Sequence, residues 1–208
     1  MDYWRKHFLL PAITSGKPLA LIGIGDHPEY WNNSNLNYLA NYWDPARIAC
    51  ANGPYCIYDI DSKLVEKTKN LGINAQVCDL TSNQLPNKYD WIFASDVIEH
   101  VTQPLAFMQN ISNSLSSKGI FVLTTPNALY WRNFLFGSVA EHPEHLFTFN
   151  AQHFHNLARL SGLLVQNVRS FQALGTNACL RSLALRPLHI LMAKLGRANS
   201  IMLTFLKC

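Results

Sequence analysis

Tyr55-Cys56-Ile57-Tyr58-Asp59-Ile60-Asp61-Ser62 opens the stretch that decides the fold, and the same stretch closes on Leu71-Gly72. Its first four residues have strand character and end on Asp59. Asp61 then stands where a helix N-cap belongs, Leu64, Thr68 and Leu71 follow at helical spacing, and Gly72 supplies the stop. The unit recurs on both sides. Leu19–Ile24 is an apolar run ending at Gly25-Asp26, Ala75–Cys78 ends on Asp79, and Trp91–Ala94 ends near Asp96. Pro104 suits the first turn of a helix with a stripe of Leu105, Met108, Ile111 and Leu115, which Gly119 is expected to end. Ile120–Leu123 reads as a fifth strand broken by Pro126-Asn127, and Asn150 caps a helix through Leu160 that stops at Gly162. Leu163–Val168 is a sixth strand, Leu180–Leu195 looks helical despite Pro187, and Ile201–Leu206 is a seventh strand. Strands alternating with helices predict a parallel, doubly wound α/β sheet.

The composition sets bounds on this reading. A chain of 208 residues with 49% hydrophobic and 14% charged residues is expected to be one domain, or at most a domain with an appendage, with a sizeable core. No run of eighteen apolar residues occurs, and Met1-Asp2-Tyr3-Trp4 does not read as a signal peptide. Five scattered cysteines without a Cys-x-x-Cys argue against a disulfide scaffold and for a reduced, cytoplasmic setting. The net charge of +4 hides an asymmetry: residues 1–144 carry 10 basic and all 13 acidic side chains, while residues 145–208 carry 7 basic side chains and no carboxylate. Such an acid-free third meets anions such as phosphates or anionic lipid, or else is a solvated basic face. Without a dense Lys/Arg cluster, nucleic acid is not favoured.

In sheets of this class ligands bind at the carboxyl ends of the strands. Those ends carry Gly23, Gly25, Asp59, Asp79 and Asp96. Glycine after a first strand lets a ligand approach the backbone, and an acid after the second can accept from both hydroxyls of a ribose. Turns favour Gly and Asp in any case. Their recurrence in order is what points to a nucleoside-containing cofactor.

Asp59-Ile60-Asp61-Ser62-Lys63-Leu64, Cys78-Asp79-Leu80, Lys88-Tyr89-Asp90-Trp91-Ile92, Asp96-Val97-Ile98-Glu99-His100-Val101 and Leu123-Thr124-Thr125-Pro126-Asn127 resemble class I S-adenosylmethionine-dependent methyltransferases, in particular their type 11/23 group. Glu141-His142-Pro143-Glu144-His145-Leu146-Phe147 resembles the same group, so the likeness covers roughly residues 55–170. It implies a Rossmann-like sheet of seven strands, mostly parallel with the last antiparallel, in a single domain over residues 1–208. It implies S-adenosylmethionine as cofactor, with Asp59 on the ribose hydroxyls, Asp79 on the adenine amino group, Leu80 near the ring, and Gly23 and Gly25 under the methionine portion. Asp96 would border the place where donor and acceptor meet, and Asp90 would be structural.

The first motif departs from the family pattern. Leu19-Ala20-Leu21-Ile22-Gly23-Ile24-Gly25-Asp26 lacks the strand acid and a third glycine, and Gly25 lies 34 positions before Asp59, against about 20 in the related dinucleotide fingerprint. Residues 26–54 are therefore expected to be an insertion after the first strand, and residues 172–208 a C-terminal helix and strand. The degenerate motif keeps a rival open: a non-catalytic Rossmann-like binding or scaffold protein. A nucleotide-dependent dehydrogenase ranks third, because no Gly-x-Gly-x-x-Gly opens a helix.

A sulfonium methyl is already activated, so in-line orientation supplies most of the catalysis. An oxygen acceptor gains from a base, and an imidazole with its ordinary pKa of about 6.5 suits that task. His100 and His145 are the candidates, with Asp96 beside them. The reading of choice involves no metal. Asp96, Glu99, His100 and His145 also resemble the divalent-ion motif of small-RNA 2′-O-methyltransferases, which gives an alternative in which they are ligands. His153 and His155, two apart on one helix, point to different faces and read as surface or core histidines. Tyr130, Trp131, Phe134 and Phe136 either roof an acceptor pocket or pack beneath a lid. Leu180–Leu195, apolar and basic together, either touches a membrane surface or packs between strands. The expected activity is O-methylation of a small or lipid-linked metabolite, with an anionic acceptor favoured.

Overall fold

A computed structural model describes residues 8, 10–24, 53–137, 144–171 and 186–207. Gly25, the expected 26–54 insertion apart from its last two residues, His142 and residues 172–185 lie outside the described residues. The elements in chain order are α1 (Leu10–Thr14), β1 (Leu19–Ile22), β2 (Tyr55–Asp59), α2 (Ser62–Asn70), β3 (Ala75–Val77), β4 (Tyr89–Ser95), a 3-10 turn (Ile98–His100), α3 (Pro104–Ser114), β5 (Leu115–Pro126), α4 (Trp131–Phe136), α5 (Ala151–Ser161), β6 (Leu163–Phe171), α6 (Arg186–Lys194) and β7 (Ser200–Lys207). The strands form one seven-stranded sheet in the order β3-β2-β1-β4-β5-β7-β6. Neighbours from β3 to β5 run parallel, and β7 is antiparallel to both β5 and β6.

Residue alternation along the strands fills two apolar layers. Ala20, Ile22, Tyr58, Ile92, Phe121, Leu123, Leu203 and Phe205 point to the face covered by Phe107, Met108 and Ile111 of α3 and Phe154 and Ala158 of α5. Leu19, Leu21, Ile57, Phe93, Val122 and Met202 point to the other face, against Ala12 and Ile13 of α1 and Val65 of α2. Phe205 is fully buried and stacks on Phe121 with centroids 5.4 Å apart.

Local chemistry sets the helix ends. The Asp61 carboxylate caps α2 by accepting from the backbone N–H of Lys63 at 2.7 Å and of Leu64 at 3.3 Å. Asn150 caps α5 through a reciprocal pair with His153, and Gly162 ends that helix at φ +70°. His153 thus has a structural task, and both it and His155 are exposed.

One sequence expectation fails. α3 ends at Ser114 rather than at Gly119, and β5 begins immediately. Leu115 pairs with Tyr89, the register then shifts, and Ile120 pairs with Trp91. Lys118 takes a left-handed φ of 63° inside this irregularity. A Cβ on Gly119 would come within 3.0 Å of the Tyr89 carbonyl oxygen. The glycine serves close backbone approach in the sheet, and burial of Leu115 against β4 outweighs one more helical turn of serine-rich sequence. Pro187 lies within α6, and the part of the expected helix before Arg186 falls outside the described residues.

Candidate active site

Strand register brings the predicted residues together at the carboxyl ends of the strands. Ile22 pairs with Tyr58 on one side and with Ala94 on the other, and Asp59 pairs with Val77. The chain therefore leaves β1, β2, β3 and β4 at Gly23, Asp59, Cys78-Asp79 and Asp96 side by side.

Gly23 takes φ +89°, and its N–H donates to the Tyr58 carbonyl at 2.8 Å. A Cβ added there would stand 2.8 Å from Val97 Cγ2, so glycine alone leaves the space between β1 and the loop after β4 open. The Ile24 N–H, one residue on, donates to Asp59 Oδ2 at 2.7 Å, and Asp59 Oδ1 accepts from the Asp61 N–H at 2.8 Å. Each carboxylate oxygen carries two acceptor sites, so Asp59 is fixed by its backbone partners and still able to accept from a ligand.

Asp79 is organised in the same way. Its Oδ1 accepts from the Thr81 N–H at 2.8 Å and the Thr81 hydroxyl at 2.7 Å, and its Oδ2 accepts from the Ser82 hydroxyl at 2.9 Å. The Thr81 bonds, side chain first, hold the Asp79 carboxyl below its ordinary range. Burial, with the neighbouring Asp79 charge, pushes the Cys78 thiol up. Leu80 is buried, and its carbonyl accepts from the Asn110 amide of α3 at 2.9 Å, which ties this turn to the helix.

These groups enclose a cavity of about 280 Å³ lined by Gly23, Tyr58, Asp59, Ile60, Cys78, Asp79, Leu80, Val97 and His100. Gly23, Asp59, Asp79, Leu80 and His100 thus all line one cavity. Ile60 was not singled out from the sequence, although a large apolar residue between two acids at a strand end was the available signal. It is 68% exposed and offers the cavity an apolar wall.

Asp96 and His145 are not among the residues lining that cavity. Asp96 sits past β4 in a left-handed conformation, φ 51°, which aspartate tolerates better than most residues. Its N–H donates to the Thr124 carbonyl at 2.9 Å, and its Oδ1 accepts from the Thr124 hydroxyl at 3.4 Å. Glu99 is buried at 1% exposure, and Thr125 donates to its Oε2 at 3.0 Å. The Glu99 carbonyl accepts from the N–H groups of Leu146 and Phe147 at 2.8 and 3.2 Å, pinning the 144–149 segment over the end of β4. This places the His145 ring edge-on to His100 at 4.8 Å, with His100 Nδ1 3.2 Å from the Glu144 carbonyl oxygen. Ligand atoms of Glu99, His100 and His145 lie within 4.8 Å of one another, and Asp96 is not in that group. Tyr130 and Trp131 pack edge-on at 5.9 Å, while Phe134 is 83% exposed and roofs nothing among the described residues.

A family model described as a methyltransferase domain matches residues 28–168. The chain belongs to the methyltransferase-domain family. The match begins after the glycine turn at Gly23, the point at which the sequence departs from the usual pattern. No curated protein matches the sequence. Among solved structures, an S-adenosylmethionine-dependent methyltransferase from Mesorhizobium loti is similar at 17% identity and TM-score 0.61, over 96% of this chain and 94% of that one. Another from Clostridium acetobutylicum gives 9% identity and TM-score 0.63, over 100% and 92%. A third from Archaeoglobus fulgidus gives 13% identity and TM-score 0.62, over 98% and 91%. At these identities the likeness is one of fold. The cofactor of this methyltransferase is S-adenosylmethionine, and the residues present fit it: an open cradle at Gly23 that a Cβ would fill, a backbone-anchored carboxylate at Asp59, and apolar walls at Ile60 and Leu80 beside Asp79.

Proposed function

We propose that the methyltransferase O-methylates a small or lipid-linked metabolite, with His100 taking the acceptor proton. The observation carrying this reading is the position of His100: it lines the donor cavity and is steadied by the His145 ring and the Glu144 carbonyl. A hydroxyl becomes nucleophilic enough only as its proton leaves, so a base at the cavity mouth fits an oxygen acceptor. Asp59 and Asp79 hold the nucleoside, Gly23 lets the methionine portion pass, and S-adenosylmethionine supplies an electrophilic methyl when bound.

The donor assignment is tested by calorimetry with S-adenosylhomocysteine. Wild type should bind, and Asp59→Ala should weaken binding about 10- to 100-fold, the range for one charge-assisted hydrogen bond. No binding by wild type, or an unchanged affinity in the variant, would sink it. The oxygen assignment is tested by transfer of labelled methyl from S-adenosylmethionine into polar and lipid extracts. A methyl ether or ester is expected, formed roughly a hundredfold more slowly by His100→Ala, whereas a methylamine product overturns it.

One observation favours a second reading: the convergence of Glu99, His100 and His145. A carboxylate and two imidazoles suit a divalent transition metal, which would orient the acceptor oxygen in place of a free base. Chelator-sensitive turnover restored by Mn²⁺ or Zn²⁺ would select this reading, and turnover indifferent to chelator would remove it.

A further inference from the structure

The β6 side of the sheet, opposite the β3 edge, carries a second surface outside the donor cavity. In α6 Leu188, Met192 and Ala193 are partly buried, yet Ile190 and Leu191 are exposed at 52% and 50%, Lys194 is exposed, and Leu195 just past the helix is exposed at 60%. A helix that exposes apolar side chains beside its partly buried ones is short of a partner. α4 contributes Phe134 and Leu135, exposed at 83% and 64%. The two helices are tied together: the Trp131 N–H donates to the Arg197 carbonyl at 3.1 Å, and the Asn127 amide donates to the Gly196 and Ala198 carbonyls at 3.0 and 2.8 Å. Between α6, β6 and the loop after β5 opens a cavity of about 620 Å³, whose lining includes Leu129, Arg169, Ile190 and Lys194.

Charge identifies the occupant. Arg132, Arg169, Lys194 and Arg197 are all exposed here, and residues 145–208 contain no carboxylate side chain. Two copies of so basic a face would repel each other, whereas an anionic lipid surface satisfies both the cations and the apolar side chains. Among the described residues no helix is long and apolar enough to cross a membrane, so the contact is interfacial. We infer that α4 and α6 dock the protein onto anionic bilayers, with Phe134, Leu135, Ile190, Leu191 and Leu195 entering the headgroup region and the four cations meeting lipid phosphates. This goes beyond the methyl-transfer reading and does not depend on it.

The test is flotation with vesicles of phosphatidylcholine alone or mixed with phosphatidylglycerol, with S-adenosylhomocysteine affinity measured on the same preparations. Wild type should float with the mixed vesicles, not with phosphatidylcholine alone, and added salt should release it. Phe134→Ser/Ile190→Ser/Leu191→Ser should lower partitioning about tenfold or more, and Lys194→Gln/Arg197→Gln about fivefold per charge removed. Unchanged S-adenosylhomocysteine affinity in these surface variants separates a docking defect from a folding or donor-site defect. The inference is overturned if wild type ignores mixed vesicles, if it binds both vesicle types equally, or if the serine variant floats like wild type. It is also overturned if sedimentation velocity finds a wild-type dimer that the serine changes dissociate, because the face would then belong to a second copy.

Discussion

From β3 to β4 the sheet exits carry Asp79, Asp59 and Asp96, whereas beyond β5 no strand leaves the sheet on an acid. The acids of the first region are held by backbone N–H and hydroxyl groups within hydrogen-bond distance, and around them the cavity is small and bounded. The second region is held by ring packing such as Phe121–Phe205 and presents exposed apolar side chains among cations. Directional bonds fix an atom's position to fractions of an ångström, which a ribose or adenine demands. Apolar burial fixes only that a surface be covered, which suits a loosely specified partner. The difference teaches that affinity for the donor and stability of the fold should respond to different residues.

The largest effect separating the two regions is expected from Phe205→Ala. Its side chain is fully buried between Phe121 and Phe154, and truncation should cost about 3–5 kcal/mol in thermal or denaturant unfolding. Donor affinity of the protein that remains folded should stay within about twofold. If affinity falls with stability, the regions are not separable. Next comes Gly23→Ala, which forces a left-handed alanine at about 1–2 kcal/mol and drives its Cβ into Val97. S-adenosylhomocysteine should bind about tenfold more weakly, with partial recovery in Gly23→Ala/Val97→Ala. Failure of the second change to restore anything would place the damage in backbone strain alone.

The smallest effect is a matter of pH. The Asp79 carboxyl lies below its ordinary range in the folded chain, so its bonds stabilise the fold above the unfolded-state pKa of about 4 and cease to as pH falls through the lower, folded value. Asp79→Asn should accordingly be less stable than wild type near neutrality, the gap closing at acid pH. A gap that is constant or that widens in acid would contradict this. Measured unfolding from neutrality downward checks it.

What the sequence disclosed is what short-range chemistry controls. Asp61 and Asn150 were legible as caps because a side chain reaches backbone two or three residues away, and the acids after β2 and β3 were legible because strand runs announce their own ends. Gly119 was misread because α3 stops where Leu115 can pair with Tyr89, a partner 26 positions earlier that no local pattern displays. The resemblance brought His100 and His145 to notice, but their contact depends on the Glu99 carbonyl holding Leu146 and Phe147, a bond between distant segments. Ile60 escaped for a different reason: apolar residues are read by default as core, and this one lines a cavity instead.

The placement of β7 between β5 and β6 has a consequence for how the chain is assembled. Among the described residues β6 borders only β7 in the sheet, and β7 is formed by residues 200–207, after the other described strands. While a ribosome is still making this protein, β1 to β5 can pair in sequence as their residues emerge. β6 must wait as an unpaired strand until the segment that will separate it from β5 is out. A nascent chain paused before residue 200 therefore leaves β5 and β6 without the strand that will join them, open to chaperones or to other chains.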